Sequence, residues 1–222
     1  MTFAPETPRN RIPNTAGIVL CGGQSNRMGM PKAWLPCGSE TMLQRVVRLI
    51  SDVCSPIVAV SSEGQSLPPL DPQVVVVHDR TPDQGPLEGL AVGFNAIGHS
   101  AKIAMVVACD VPLLRTTLVQ HLVHCLTGYD AAVPLIDGRP HPLVAVYHER
   151  VRETLARQLH SGQLSMRDFL GEINVRYVEG DALKTVDPSL ESLRNINRPE
   201  EYRALVRQLG FDIPGEFGRA PD

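Results

Sequence analysis

The chain has 222 residues, of which 43% are hydrophobic and 20% are charged. This is the usage of a globular protein that can bury a core, so a disordered chain is excluded. The formal net charge is only −3, which provides no long-range attraction for nucleic acid or an anionic membrane. No run approaches the roughly 20 apolar residues of a transmembrane helix. Neither nucleic acid nor a membrane is therefore expected as a partner.

The two ends of the chain have the composition of loose arms. Residues 1–15 contain three prolines and lack the apolar run of a signal peptide. Residues 211–222 contain two prolines and two glycines. Because no break in composition divides the chain between them, residues 16–210 are predicted to form a single domain. The five cysteines are odd in number and form no C-x-x-C pair, which favours a reducing, cytoplasmic location.

Between the arms, short runs rich in Val and Ile alternate with longer segments of helical period. This alternation is typical of βαβ units and predicts an α/β fold, a Rossmann-like three-layer sandwich with a mostly parallel sheet. The predicted strands are 17–21, 56–60, 74–77, 103–109, 131–133 and 143–147. The first four carry no charge, so they are expected to be buried on both faces. The predicted helices are 39–54, 85–97, 115–126, 149–160 and 198–209.

The first predicted helix, 39–54, shows the pattern most clearly. Leu43, Val46, Val47 and Ile50 stand at positions i, i+3, i+4 and i+7, which places them on one buried face. Ser39 is available as the N-cap residue.

Polar residues follow several of the predicted strands directly. Strand 17–21 is followed by a loop that ends at Lys32, strand 74–77 by His78 and Asp79, and strand 103–109 by Asp110. Ligands of open α/β sheets bind beyond the carboxyl ends of the strands. These residues are therefore expected to surround one cleft.

The loop after the first strand has the components of a phosphate-binding site. Gly22 and Gly23 permit close approach of the backbone, Ser25 offers a hydroxyl, and Arg27 and Lys32 supply two positive charges suited to a triphosphate. The spacing differs from both the P-loop and the dinucleotide-binding fingerprint. The alternative is a glycine-rich turn with incidental surface charges.

Asp110 stands at the tip of an uncharged strand. A carboxylate in this position can hold Mg²⁺ that is bound to substrate phosphates. The alternative is an Asx turn that leads into Pro112. Together with the glycine loop in one βαβ chain, Asp110 favours nucleotide and metal chemistry.

Five motifs occur in the order found in a known family. They are Leu20-Cys21-Gly22-Gly23-x-Ser25-x-Arg27-Met28-Gly29-x-x-Lys32, Gly85-Pro86-Leu87-x-Gly89, Cys109-Asp110-x-Pro112, His141-Pro142 and Asn195-x-Asn197-x-Pro199-Glu200. Over residues 16–209 the chain resembles the molybdenum cofactor guanylyltransferases, which are nucleotidyltransferases. The resemblance implies a fold of the nucleotide-diphospho-sugar-transferase type.

The resemblance implies an enzyme of molybdenum cofactor biosynthesis that uses Mg²⁺. The terminal phosphate of molybdopterin, or of its molybdenum-bearing form, attacks the α-phosphorus of GTP and releases pyrophosphate. Since a phosphate monoester is largely dianionic at neutral pH, no general base is required. Molybdoenzymes or cofactor-delivery proteins are the expected macromolecular partners.

The resemblance also assigns roles to individual residues. The catalytic set is Arg27, Lys32 and Asp110: the resemblance implies that Lys32 binds the phosphates and that Asp110 holds the metal, and Arg27 is our choice for stabilising the charge of the transition state. The implied nucleotide-binding set is Leu20, Cys21, Gly22, Gly23, Lys32, Ser61, Asp79 and Asp110. The implied acceptor set, on the pterin side, is His141, Asn195 and Asn197. Three positions depart from the family pattern: Cys21 replaces Ala, Pro31 replaces the Asp before Lys32, and Ser61 replaces Asn.

Several alternatives remain open at this stage. The Gly22-Gly23 pair and the second motif favour a guanylyltransferase over its cytidylyl relatives, but a cytidylyl- or sugar-phosphate nucleotidyltransferase using CTP or UTP would share the first motif. A non-catalytic nucleotide-binding carrier of the cofactor is a third possibility. His141 can be an ordinary loop residue, and Asn195 and Asn197 can cap the last helix.

Overall fold

The runs of β-branched residues form a central sheet in the computed structural model, which describes residues 11–22, 30–79 and 85–212. The strands are β1 (Thr15–Leu20), β2 (Pro36–Cys37), β3 (Glu40–Thr41), β4 (Ile57–Ser61), β5 (Val75–His78), β6 (Ile103–Ala108), β7 (Ala131–Ile136), β8 (Arg139–Pro140), β9 (Val144–His148) and β10 (Val175–Glu179). Within the described residues, the order across the main sheet is β10-β7-β9-β6-β1-β4-β5, with β8 paired to β7 and with β2 and β3 forming a separate hairpin.

The sheet is mostly parallel, as the alternating pattern predicts. β1 lies between β4 and β6 and is parallel to both, and β5 and β10 also pair in parallel with their neighbours. β9 is antiparallel to β6 and to β7. The mixed α/β fold with a mostly parallel sheet is therefore confirmed.

Helices cover both faces of the sheet and create the three layers. They are α1 (Met42–Ser51), α2 (Gly85–Ile97), α3 (Thr116–Cys125), α4 (Arg152–His160), α5 (Met166–Glu172), α6 (Gly180–Leu183) and α7 (Pro199–Gln208). One core cluster joins α1 and α3 to the sheet, and a second joins α2, α4 and α5 to the opposite face. In the second cluster, α2 lies close to β1 because Gly93 has no side chain: a Cβ there would be 2.6 Å from Cγ2 of Ile18.

A smaller third core cluster holds α7 against the β2–β3 hairpin. Its buried members are Leu35, Cys37, Met42, Ile196, Tyr202, Leu205 and Val206. The hydroxyl of Tyr202 donates a hydrogen bond to the carbonyl of Pro36 at 2.7 Å. Because Ile196 belongs to this cluster, the cluster fixes the segment that contains Asn195 and Asn197.

The boundary predicted at the N-terminal arm is too late in the chain. β1 begins at Thr15, and Ile12 packs against the first core cluster and donates its backbone N–H to Val53. Most of the predicted arms, residues 1–10 and 213–222, lies outside the described residues. Within the described ranges, no helix combines the length and apolar character needed to cross a bilayer.

The prediction that strand 74–77 is buried on both faces is wrong. β5 is the edge strand of the sheet, and Val75 and Val76 are 45% and 44% exposed. Its only sheet neighbour among the described strands is β4. An uncharged sequence indicates a strand but does not distinguish a central strand from an edge strand.

The N-cap predicted for the first helix is also wrong. α1 begins at Met42, and its cap is Thr41: the Thr41 hydroxyl accepts the Gln44 backbone N–H at 3.3 Å, and the Gln44 side chain accepts the Thr41 N–H at 2.8 Å. This reciprocal capping box satisfies two backbone donors. Ser39 precedes β3 and lies in the turn of the hairpin.

Replacing Thr41 with alanine is expected to lower the free energy of unfolding by about 1 kcal/mol, because one helix N–H loses its acceptor. Urea denaturation measures the change. The matched control is Ser39→Ala, which should leave the unfolding midpoint unchanged. Equal losses in the two variants would contradict the assignment of Thr41 as the cap.

Candidate active site

The carboxyl ends of four neighbouring strands meet at one edge of the sheet. Because β6, β1, β4 and β5 are adjacent and parallel, the residues that follow them lie side by side. Asp110, Gly22, Ser62 and Asp79 therefore stand in this order along the edge.

Gly22, Ser62 and Asp79 are in close contact at this edge. A Cβ built on Gly22 would lie 3.2 Å from Oγ of Ser62 and 3.7 Å from Oδ2 of Asp79. The Asp79 backbone N–H donates to the Ser61 carbonyl at 2.9 Å, and the Ser62 hydroxyl lies 3.5 Å from Oδ2 of Asp79. Since any side chain at residue 22 would enter this space, glycine keeps the surface beside Asp79 open.

Two residues that the sequence did not indicate join the ends of β1 and β4. The Gln65 side-chain amide donates to the Cys21 carbonyl at 3.0 Å, and its oxygen accepts the Ser62 N–H at 3.1 Å. Gln65 reaches this position through a turn in which Gly64 has a φ of +73° and the Gln65 N–H donates to the Ser62 carbonyl. The glycine was a signal for the turn, but no spacing rule identified Gln65 or Ser62 as site residues.

Three predicted nucleotide contacts have buried side chains. Leu20 and Cys21 are 8% and 3% exposed, and Ser61 is fully buried. The Ser61 hydroxyl is hydrogen-bonded to Nδ1 of His78 at 2.8 Å. Cys21 and Ser61 directly precede Gly22 and Ser62 at this edge. The three buried side chains therefore pack beneath the surface that Gly22 and Ser62 form.

Cys21 is a thiol without nucleophilic character. A hydrogen bond with Cys109 raises the pKa of Cys21 well above its ordinary value, and burial raises it further. All five cysteines of the chain are free. Cys21 therefore stays neutral at physiological pH. Because the thiolate is the reactive form of cysteine, this thiol is not a nucleophile.

Lys32 connects the end of β6 to the segment before α7. Its ammonium donates to Oδ2 of Asp110 at 2.8 Å and to Oδ1 of Asn197 at 2.5 Å. Asp110 and Asn197 are separated from Lys32 by 78 and 165 positions in the sequence. One member of the predicted acceptor set thus touches a residue predicted to bind the nucleotide phosphates.

Asp110 has the surroundings of a metal-binding carboxylate. It is only 8% exposed, and its buried Oδ1 has no hydrogen-bond partner among the described residues. Carboxylate oxygen is the ligand type that Mg²⁺ prefers, and Mg²⁺ in nucleotide sites is held by one or two carboxylates together with substrate phosphates. A buried carboxylate oxygen with an open coordination site therefore suits a metal whose remaining ligands are substrate phosphates.

The segment with Asn195 and Asn197 is attached directly to the Asp110 backbone. The Ile196 N–H donates to the Asp110 carbonyl at 2.8 Å. Glu201, in the first turn of α7, accepts the N–H groups of Asn197 and Arg198 at 2.7 and 3.0 Å. Glu201 therefore supplies the capping contacts at the start of α7. The Asn197 side-chain amide instead binds Lys32. Asn195, which precedes Ile196, is exposed.

His141 lies on the same edge of the sheet. It follows β8, and Leu143, two residues later, accepts the Ala108 N–H at 2.9 Å at the end of β6. Burial lowers the pKa of His141 below its ordinary value, so the ring is neutral at pH 7. The structure thus places His141 near the end of β6.

Gly23, Ser25 and Arg27 lie outside the described residues. The parts of the predicted phosphate loop that the structure describes are Gly22 at its start and residues 30–32 at its end. The roles assigned to Gly23 and Arg27 remain predictions.

Comparison with known proteins identifies the family. Residues 17–177 match the model of the MobA-like NTP transferase domain. The chain belongs to this family. It is therefore a nucleotidyltransferase, and the predicted resemblance is confirmed.

Two relatives illustrate the match in sequence. A probable molybdenum cofactor guanylyltransferase of Mycobacterium avium (strain 104) is 37% identical over 196 residues, covering 86% of this chain and 95% of the relative. A protein of the same description from Bacillus mycoides (strain KBAB4) is 34% identical over 198 residues, covering 87% and 96%.

Two solved structures share the fold. The molybdopterin-guanine dinucleotide biosynthesis protein A of Archaeoglobus fulgidus superimposes with a TM-score of 0.73 at 23% identity, over 88% of this chain and 98% of that one. The 2-C-methyl-D-erythritol 4-phosphate cytidylyltransferase of Thermus thermophilus gives 0.64 at 18% identity, over 88% and 98%. The predicted nucleotide-diphospho-sugar-transferase type of fold is confirmed.

Proposed function

We propose that this enzyme transfers GMP from GTP to the terminal phosphate of molybdopterin, or of its molybdenum-bearing form, and releases pyrophosphate. The observation that carries the proposal is the Lys32–Asp110 pair, with a 2.8 Å contact at the carboxyl edge of the sheet. This edge belongs to a MobA-like NTP transferase whose relatives are described as molybdenum cofactor guanylyltransferases. The same role implies a cytoplasmic enzyme that supplies its product to molybdoenzymes or delivery proteins.

The chemistry requires binding and charge neutralisation more than proton transfer. An oxygen of the dianionic acceptor phosphate forms a bond to the α-phosphorus of GTP, and the bond from that phosphorus to the bridging oxygen breaks. Pyrophosphate leaves with the electron pair, and no proton has to be removed from the nucleophile. Bound Mg²⁺ supplies positive charge for the phosphate oxygens.

Nucleotide binding, charge neutralisation and acceptor binding are assigned to different residues along the edge of the sheet. Gly22 and Asp79 border the nucleotide side, where the open surface admits ribose or base. The Lys32 ammonium supplies a positive charge for the phosphates, and Asp110 holds the metal. Asn197 touches the same ammonium from the side of α7, so this segment borders the acceptor. Catalysis of this type depends on positioning and on preorganised charge.

The decisive experiment is incubation of the full chain with Mg²⁺, molybdopterin and GTP, CTP or UTP in separate reactions. We expect a product whose mass equals molybdopterin plus GMP, with one pyrophosphate released for each molecule formed. A product formed preferentially from CTP or UTP would overturn the guanine assignment. Binding of GTP without product from any of the three would favour a cofactor carrier instead.

A further inference from the structure

The Lys32 ammonium is paired with Asp110, the carboxylate proposed above to hold the metal. Oδ2 of Asp110 is 2.8 Å from Nζ of Lys32, and the Asp110 side chain is only 12% exposed. The Lys32 side chain is itself 20% exposed. A carboxylate removed from water to this degree needs a positive partner, and Lys32 is that partner.

A second contact holds the ammonium in place. Oδ1 of Asn197 accepts from Nζ at 2.5 Å, and the adjacent Ile196 N–H is bonded to the Asp110 carbonyl. The ammonium is therefore fixed between the side chain of Asp110 and a segment attached to the backbone of the same residue. Asn197 is a neutral acceptor, so it orients Lys32 without adding charge.

We propose that Lys32 serves as the resident cation of Asp110, so that a divalent metal binds Asp110 strongly only when nucleotide phosphates draw the ammonium away. This inference rests on the proposed function for the identity of the metal and of the phosphates. Two positive groups at one carboxylate repel each other at short range. A triphosphate offers the ammonium other oxygens, so nucleotide and metal enter the site together.

The arrangement also gives Asn197 a positioning role. The hydrogen bond to Asn197 helps to keep the Lys32 ammonium beside Asp110. Without this hydrogen bond, the ammonium has one partner fewer and is displaced more easily. Asn197 therefore strengthens Lys32 in its competition with the metal for Asp110.

The test is titration of the full chain with Mn²⁺ in the absence of nucleotide, with free Mn²⁺ measured by electron paramagnetic resonance. We expect weak binding to the wild type and about tenfold tighter binding to Lys32→Met, because a like charge has been removed from the site. Adding Asp110→Asn to Lys32→Met should abolish the gain. Lys184→Met is the matched control: its ammonium pairs with the exposed Asp181, and it should bind Mn²⁺ as the wild type does.

Asn197→Ala provides a second variant that leaves Lys32 in the protein. It should bind Mn²⁺ more tightly than the wild type, by less than Lys32→Met does. Thermal melting verifies that each variant is folded. Wild-type Mn²⁺ affinity in folded Lys32→Met, or tight binding by the wild type without nucleotide, would overturn the inference. Because the titration uses no nucleotide or molybdopterin, it is independent of the product analysis that tests the proposed function.

Discussion

Replacement of Asp110 by asparagine is expected to lower kcat/KM for nucleotidyl transfer by at least about 100-fold. Asparagine has nearly the same shape, but it removes the negative charge that pairs with Lys32 and that the metal requires. GTP should still bind through the remaining contacts and raise the melting temperature, since a ligand that binds only the folded state stabilises it. Pyrophosphate release measures turnover, and a thermal shift measures binding.

Asp181→Asn is the matched control for this experiment. Its carboxylate is 94% exposed and pairs with Lys184 at α6, which follows β10, a strand separated from β6 by β7 and β9 in the sheet. Turnover of this variant should equal that of the wild type. If Asp110→Asn retained turnover within about threefold of the wild type, Asp110 would have no part in holding the metal.

The sequence was sufficient to predict most of the central sheet. The runs that become β1, β4 and β6 are uncharged and rich in Val and Ile, because strands covered on both faces admit no charge. β10 was missed: Arg176, Tyr177 and Glu179 give it the polar composition of an exposed edge. The antiparallel direction of β9 was not predictable from its composition, because direction depends on the path of the chain between strands.

The candidate site shows a similar limit. Lys32 and Asp110 were expected at one cleft because each follows a strand of the same sheet, and the structure brings them within 2.8 Å. Asn197 was indicated only by resemblance, since nothing in its local sequence shows contact with a residue 165 positions away. Gln65 and Ser62 were missed because their hydrogen bonds arise from a turn geometry that many sequences adopt.

The third core cluster gives the largest expected effect on stability. Tyr202 is fully buried in α7, and its hydroxyl bonds to the Pro36 carbonyl. Replacing it with alanine removes a large side chain that the surrounding cluster cannot refill, and we expect the free energy of unfolding to fall by about 3 to 5 kcal/mol. Tyr202→Phe keeps the ring and should lose only about 1 kcal/mol. Urea denaturation of the three proteins separates the packing contribution from the hydroxyl contribution.

The same substitution connects stability to the site. Tyr202 packs in the cluster that contains Ile196, and the residue after Ile196 is Asn197, which binds Lys32. Tyr202→Ala should therefore reduce turnover under conditions in which the protein is still folded, because the Asn197 amide loses its fixed position. Tyr177→Ala is the control: this tyrosine is 41% exposed on β10 and lies outside the third core cluster, so its loss of stability should be well below that of Tyr202→Ala and its turnover should be unchanged. Full turnover in folded Tyr202→Ala would show that α7 stabilises the domain without positioning Asn197.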